Sequence, residues 1–134
     1  IKPIIASHSN VKALYNHYRN LSDPQLQIIK EKNGLVGAIP VRWFVKKKED
    51  NATLEDFINI LIYLKEKIGI EHMALGFDFM DYIEGMEDSN VVGMKDITQI
   101  QHIADALKYY SFTPEEIEKI CYRNAYDFMQ KYLR

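Results

Sequence analysis

The stretch PIIASHSNVKALYNHYRNLSDPQLQIIKEKNGLVGAIPV, residues 3–41, reads as strand, polar loop, helix, strand. Behind Pro3 the run Ile4-Ile5-Ala6 is short and apolar, the pattern of a strand covered on both faces, so a strand is expected over Pro3 to Ser7. Leu35 to Val41 (LVGAIPV) has the same character. Between the two runs, Ser22 or Asp23 can cap a helix that holds Pro24 in its first turn, and Asn33-Gly34 supplies a left-handed stop. Two strands of the buried type with a helix between them imply parallel pairing through a right-handed crossover.

The alternation continues beyond residue 41. Thr53 is a good N-cap with Asp56 three residues on, and Leu54, Phe57, Leu61, Leu64 and Ile68 recur at helical spacing as far as Gly69. His72 to Phe79 (HMALGFDF) is a third apolar run. Asp96 then precedes Ile97, Ile100, Ala104 and Leu107, one helical stripe. Finally Thr113-Pro114-Glu115-Glu116 is a capping box with proline at the first helical position, leading into Ile117, Ile120, Cys121, Phe128 and Met129. The order strand, helix, strand, helix, strand, helix, helix is that of an α/β protein with a parallel sheet. No internal repeat, low-complexity segment or domain boundary interrupts it, so residues 1–134 are expected to form one segment of a single domain.

Three parallel strands alone leave two unpaired edges and partly covered faces, whereas parallel sheets normally lie inside larger α/β assemblies. The chain therefore has the make-up of an arc. A closed (β/α)8 barrel takes on the order of 250 residues, so three βα units and a terminal helix would be its last part.

Composition narrows the function classes. The chain is 47% hydrophobic and 27% charged, a globular profile, and its net charge of -2 gives no field to attract a polyanion. The one basic run, Lys46-Lys47-Lys48, is followed at once by Glu49-Asp50 and reads as a solvated loop, so nucleic acid is not an expected partner. No stretch approaches the roughly 18 to 20 apolar residues of a membrane span. A single cysteine, Cys121, excludes an internal disulfide and a multi-thiolate metal site; it is compatible with a reducing cytoplasm and, on an apolar helical face, is expected to be a buried, inert thiol.

His8, between Ser7 and Ser9, stands where the first strand ends, and ligands bind at the carboxyl ends of parallel strands. Taken alone, the commoner reading of such a histidine is a hydrogen-bonded structural residue. A wider pattern shifts that balance. The segments PIIASHSNVKALYNHYRNLSDPQLQIIKEKNGLVGAIPV, NATLEDFINILIYLKEKIGIEHMALGFDF, EGMEDS and RNAYDF, in this order, resemble the C-terminal part of the membrane (renal) dipeptidase family, zinc-dependent dipeptidases of the amidohydrolase type.

The resemblance implies that the three strands are the sixth, seventh and eighth of a metal-dependent (β/α)8 TIM barrel holding two zinc ions. It implies that His8 ligates one zinc, that Arg19, eleven residues later, holds the terminal carboxylate of the substrate, and that Asp78, after the last strand, handles protons and also contacts substrate. The residue types suit those roles. Neutral imidazole is a good zinc ligand, guanidinium is a planar fork that grips a carboxylate twice, and a carboxylate beside metals can take up and return a proton. The implied reaction is hydrolysis of a dipeptide by a metal-bound hydroxide. In Gly76-Phe77-Asp78-Phe79-Met80-Asp81-Tyr82 the chain departs from the Gly-Ser-Asp-Phe-Asp-Gly type of run usual in the family, which makes Asp81 the rival to Asp78. Glu84, Glu87 and Asp88 are expected in a loop at the pocket mouth, His17 in a loop or facing water, and His72 and His102 in structural or exposed positions.

The family's His-x-Asp, bridging glutamate and other strand-end histidine belong to earlier strands and have no counterpart here. The N-terminal barrel segment is thus an expected partner, beside the dipeptide that the resemblance implies; pairing of two copies as a homodimer is left open, and the isolated chain is expected to be inactive. The alternatives are a related barrel hydrolase acting on another amide or a lactone, and a non-catalytic assembly module.

Overall fold

The computed structural model describes residues 2–133, in which β1 (Ile5–Ala6), β2 (Leu35–Ala38) and β3 (Met73–Leu75) form one parallel sheet in the order β1-β2-β3. Ile5 pairs with Leu35 and Ala6 with Val36; Val36 in turn pairs with Met73, and Ala38 with Leu75. The three carboxyl ends therefore lie at one end of the sheet. The helices are α1 (Asp23–Glu31), α2 (Arg42–Val45), α3 (Leu54–Ile68), α4 (Gln101–Tyr109), α5 (Pro114–Glu118) and α6 (Asn124–Tyr132), with the wide π turn Lys119–Arg123 joining the last two.

The strands are shorter than their apolar runs. At the end of β2, the Ile39 N–H donates to the side chain of Asn10 rather than to a neighbouring strand, and Pro40 has no N–H to give. The chain then turns into α2, a helix beyond the elements expected from the sequence. The expected cover on both faces of β1 is absent, since Ile4 and Ile5 are 41% and 51% exposed. That strand is an edge, and an edge lacks a neighbour to shield its side chains.

Helix boundaries follow their caps. The Ser22 N–H donates to Gln25 Oε1 at the start of α1, and Asn33, at φ 50°, supplies the left-handed stop. At α3, Asp56 N–H donates to Thr53 Oγ1 while Thr53 N–H donates to Asp56 Oδ2. The Thr113–Glu116 box is closed in the same reciprocal way. Phe57, Ile58, Ile60, Leu61, Leu64 and Ile68 of α3 are buried and form the centre of the core with Val36, Met73, Ile103 and Leu107. Helix α3 packs on α1, α4 and β3, and α6 reaches β2 and β3.

Two helical stripes are only partly core. Ile97 and Ile100 precede α4 and are exposed, because the chain there is a short 3-10 turn whose side chains face solvent. In the last stripe Ile120, in the π turn, is buried, but Cys121 beside it is exposed and Met129 of α6 is 48% exposed, which corrects the expected buried thiol. The extra residue in the π turn rotates the helical face. The surrounding protein still pushes the Cys121 thiol pKa up by desolvation. Among the described residues no helix is long and apolar enough to cross a membrane.

Candidate functional site at the carboxyl ends of the strands

His8 lies two residues beyond β1 and Asp78 three beyond β3, so both belong to the same end of the sheet. His8 is half-buried, with Nδ1 2.8 Å from Ser7 Oγ. The backbone beside it is fixed: Ser9 N–H donates to the Gly37 carbonyl at 2.8 Å, carrying the pairing past the end of β1. A Cβ on Gly37 or Gly76 would lie 2.3 or 2.1 Å from the Ser7 carbonyl oxygen. The two glycines thus let the three strand ends close against one another at Ser7, the residue before His8.

Asp78 stands in sequence between two aromatic residues that pack together. Phe77 and Phe79 stack at 5.1 Å and pack against the core, leaving the intervening Asp78 exposed. Asp81, the rival, is half-buried in the turn that follows. The Glu84–Asp88 segment is a run of tight turns with Gly85 at φ 81°, and Glu84, Glu87 and Asp88 are exposed, as a rim loop would have them. Backbone N–H groups of Glu87 and Gly85 hold the Glu87 carboxyl below its usual range. Arg42 N–H donates to the Ser89 carbonyl, which ties this loop to α2.

Arg19 sits in the loop between β1 and α1. That loop is closed at its base by Leu21 N–H to the Asn10 carbonyl and Lys12 N–H to the Leu21 carbonyl, both 2.8 Å. Two asparagines anchor it. Buried Asn10 donates to the Ile39 carbonyl and accepts from the Ile39 N–H, while buried Asn20 donates at 2.9 Å to the carbonyls of Tyr15 and Phe44. The guanidinium of Arg19 lies over the Phe44 ring at 4.9 Å, and the His17 ring lies 5.0 Å from the same ring. The Arg19 N–H donates to His17 Nδ1 at 3.3 Å. Burial, and secondarily the charge of Arg19, lower the His17 pKa. His17 thus lines the loop, as one of its two expected placements had it, and there joins an aromatic cluster with Tyr15, Tyr18 and Phe44.

His8, Arg19 and Asp78 are placed on the loops of one end of the sheet, but no hydrogen bond or ion pair joins them among the described residues. The other histidines are structural: His72 Nδ1 is 2.9 Å from the Gly34 carbonyl and His102 Nδ1 is 2.8 Å from that of Gly93. Among the described residues no group of three or more His, Cys, Asp or Glu converges as a metal cage. Of the three side chains, the His8 imidazole is the one whose chemistry suits it to bind a metal ion.

Asn10, Asn20 and Phe44 join the site only through the fold. The asparagines stand in Ser7-His8-Ser9-Asn10 and Arg19-Asn20, within the first segment that carries the resemblance, and a pair of asparagines at the two ends of a polar loop is the signal that could have marked them as clamps.

The family model of the membrane dipeptidases (peptidase family M19) matches residues 1–132. The dipeptidase tcpJ of Claviceps purpurea is 31% identical over 93% of this chain, which spans 28% of that protein. Two solved structures superpose with TM-score 0.86 at 26% identity: the dipeptidase AC, a metallopeptidase of family M19, and a metallopeptidase from Rhodobacter sphaeroides liganded with a phosphinate mimic of the dipeptide L-Ala-D-Ala. Each match covers 96% of this chain, which spans 37% and 36% of those chains. The chain thus corresponds to about a third of the proteins it resembles.

Proposed function

The chain belongs to the membrane dipeptidase family, peptidase family M19, and from that premise we propose that it is the C-terminal arc of a (β/α)8 barrel that hydrolyses dipeptides with two zinc ions. The observation that carries this reading is the placement of an imidazole, a guanidinium and a carboxylate on loops at the carboxyl end of one parallel sheet. Residues 1–134 would supply the sixth to eighth strands, with the other strands and metal ligands outside this segment.

Each residue has a separate task. With Nδ1–H donating to Ser7 Oγ, His8 keeps Nε2 free as the donor to one metal ion. Zinc bound there would supply Lewis acidity toward the scissile carbonyl. Arg19 grips the terminal carboxylate of the dipeptide through two parallel N–H bonds, which fixes the peptide bond relative to the strand ends. Asp78 accepts a proton during attack and delivers it to the leaving amine, the role a strand-end carboxylate can fill without a covalent intermediate.

Arg19→Ala tests the assignment in the complete protein. KM for a dipeptide with a free carboxylate should rise about 100-fold, the cost of losing a charge-assisted bidentate contact of about 3 kcal/mol, with a much smaller change for its C-terminal amide. Equal activity of the variant and the parent on the free dipeptide would overturn the role. The panel should include dipeptides ending in a D-residue, the chemistry represented by the ligand of the Rhodobacter sphaeroides relative.

A further inference from the structure

Resting on the reading of Arg19 as the carboxylate-binding residue, we propose that Phe44 is the positioning residue of this site, aiming the guanidinium with its ring and anchoring the Arg19 loop with its carbonyl. Two independent contacts converge on this residue. Through its side chain, the ring lies under the Arg19 guanidinium at 4.9 Å and beside the His17 ring at 5.0 Å. Through its backbone, the carbonyl accepts from Asn20 Nδ2 at 2.9 Å, one residue along from Arg19.

Exposed arginine has many rotamers, and ordering it on a ligand costs entropy. An aromatic face removes part of that cost in advance, because a guanidinium stacked on a ring is held in one plane while its N–H edges remain free to bond a carboxylate. Phe44 is itself well fixed. It belongs to α2, whose start is tied to Ser89 by the Arg42 N–H, and Trp43 packs edge-on to its ring at 6.3 Å. The segment after β2 thereby sets the geometry of a residue in the segment after β1. Substrates with a free terminal carboxylate gain from this, and substrates lacking one do not.

The test uses the complete, active enzyme with Phe44→Leu, Phe44→Tyr and Arg19→Ala, each assayed with a dipeptide and with the same dipeptide as its C-terminal amide. Phe44→Leu should raise KM for the free dipeptide about three- to tenfold, leave kcat within about twofold and leave the amide unchanged, and Phe44→Tyr, which keeps the π face, should restore the parent KM. Phe44→Met is read in the same way if the leucine variant does not fold. An unchanged KM for the free dipeptide, or equal losses on both substrates, overturns the positioning role. The outcomes separate the two levels: a selective loss in Arg19→Ala with a silent Phe44→Leu overturns only the inference about Phe44. An Arg19→Ala variant that does not distinguish dipeptide from amide overturns the carboxylate reading beneath it.

Discussion

Asn10 uses both ends of its amide on one residue, donating to the carbonyl of Ile39 at 2.9 Å and accepting from its N–H at 3.0 Å. The side chain thus continues the ladder where β2 has run out of strand partners. Asn10→Ala would strand a buried N–H and carbonyl, and a loss of about 2 kcal/mol in denaturant unfolding is expected. His17 gives a second residue-scale prediction. Its folded-state pKa lies below the ordinary imidazole value of 6.5, through burial first and the Arg19 charge second. The unfolded chain therefore takes up the proton first, so stability is full above about pH 6.5 and falls as pH drops through the folded-state value. Protonation also removes the lone pair that accepts the Arg19 N–H. Melting temperature should decline between pH 7 and the carboxylate range in the parent protein, and His17→Gln should flatten that part of the profile; parallel profiles would show that His17 does not contribute.

At the scale of elements, the strand ends are packed backbone to backbone. Gly76 follows β3, and a Cβ there would lie 2.1 Å from the Ser7 carbonyl oxygen and 2.9 Å from that of Gly37. Both obstacles are main chain and cannot swing aside. Gly76→Ala should cost about 3 kcal/mol of stability, read by denaturant unfolding, and should displace the strand end that carries His8. Unaltered stability would mean that the ends do not close in this way. The helices were far more legible than the strands. Thr53, Thr113 and Asn33 marked helix limits through local hydrogen bonding and backbone conformation, which a sequence displays directly. Strand ends depend on where a neighbour stops offering partners. For that reason the third run, expected over His72 to Phe79, is strand only at Met73–Leu75.

For the whole molecule, the exposed edge and the incomplete donor set have a common reading in the proposed barrel. β1 presents Ile4 and Ile5 at a free edge, and Ile28 on the adjoining α1 is 48% exposed. Earlier strands and helices of the barrel would cover that surface. Among the described residues no group of three metal-binding side chains converges. The 134-residue chain alone should therefore retain well under one equivalent of zinc after dialysis, whereas the complete protein should retain about two per site. Elemental analysis of both decides this, and stoichiometric zinc on the isolated chain would contradict the proposed sharing of ligands.

The sequence by itself determined the alternation of strands and helices, the caps and the family, because periodicity, capping residues and ordered motifs are local properties. It also singled out His8, Arg19 and Asp78, through the motifs that surround them. Only the tertiary structure decided how short the strands are, that Cys121 faces outward, and that Asn10, Asn20 and Phe44 hold the Arg19 loop. Asn10 meets Ile39 across 29 residues and Asn20 meets Phe44 across 24. Contacts at such separations arise from the parallel crossover, which brings the segments after β1 and β2 side by side and leaves no trace in local pattern.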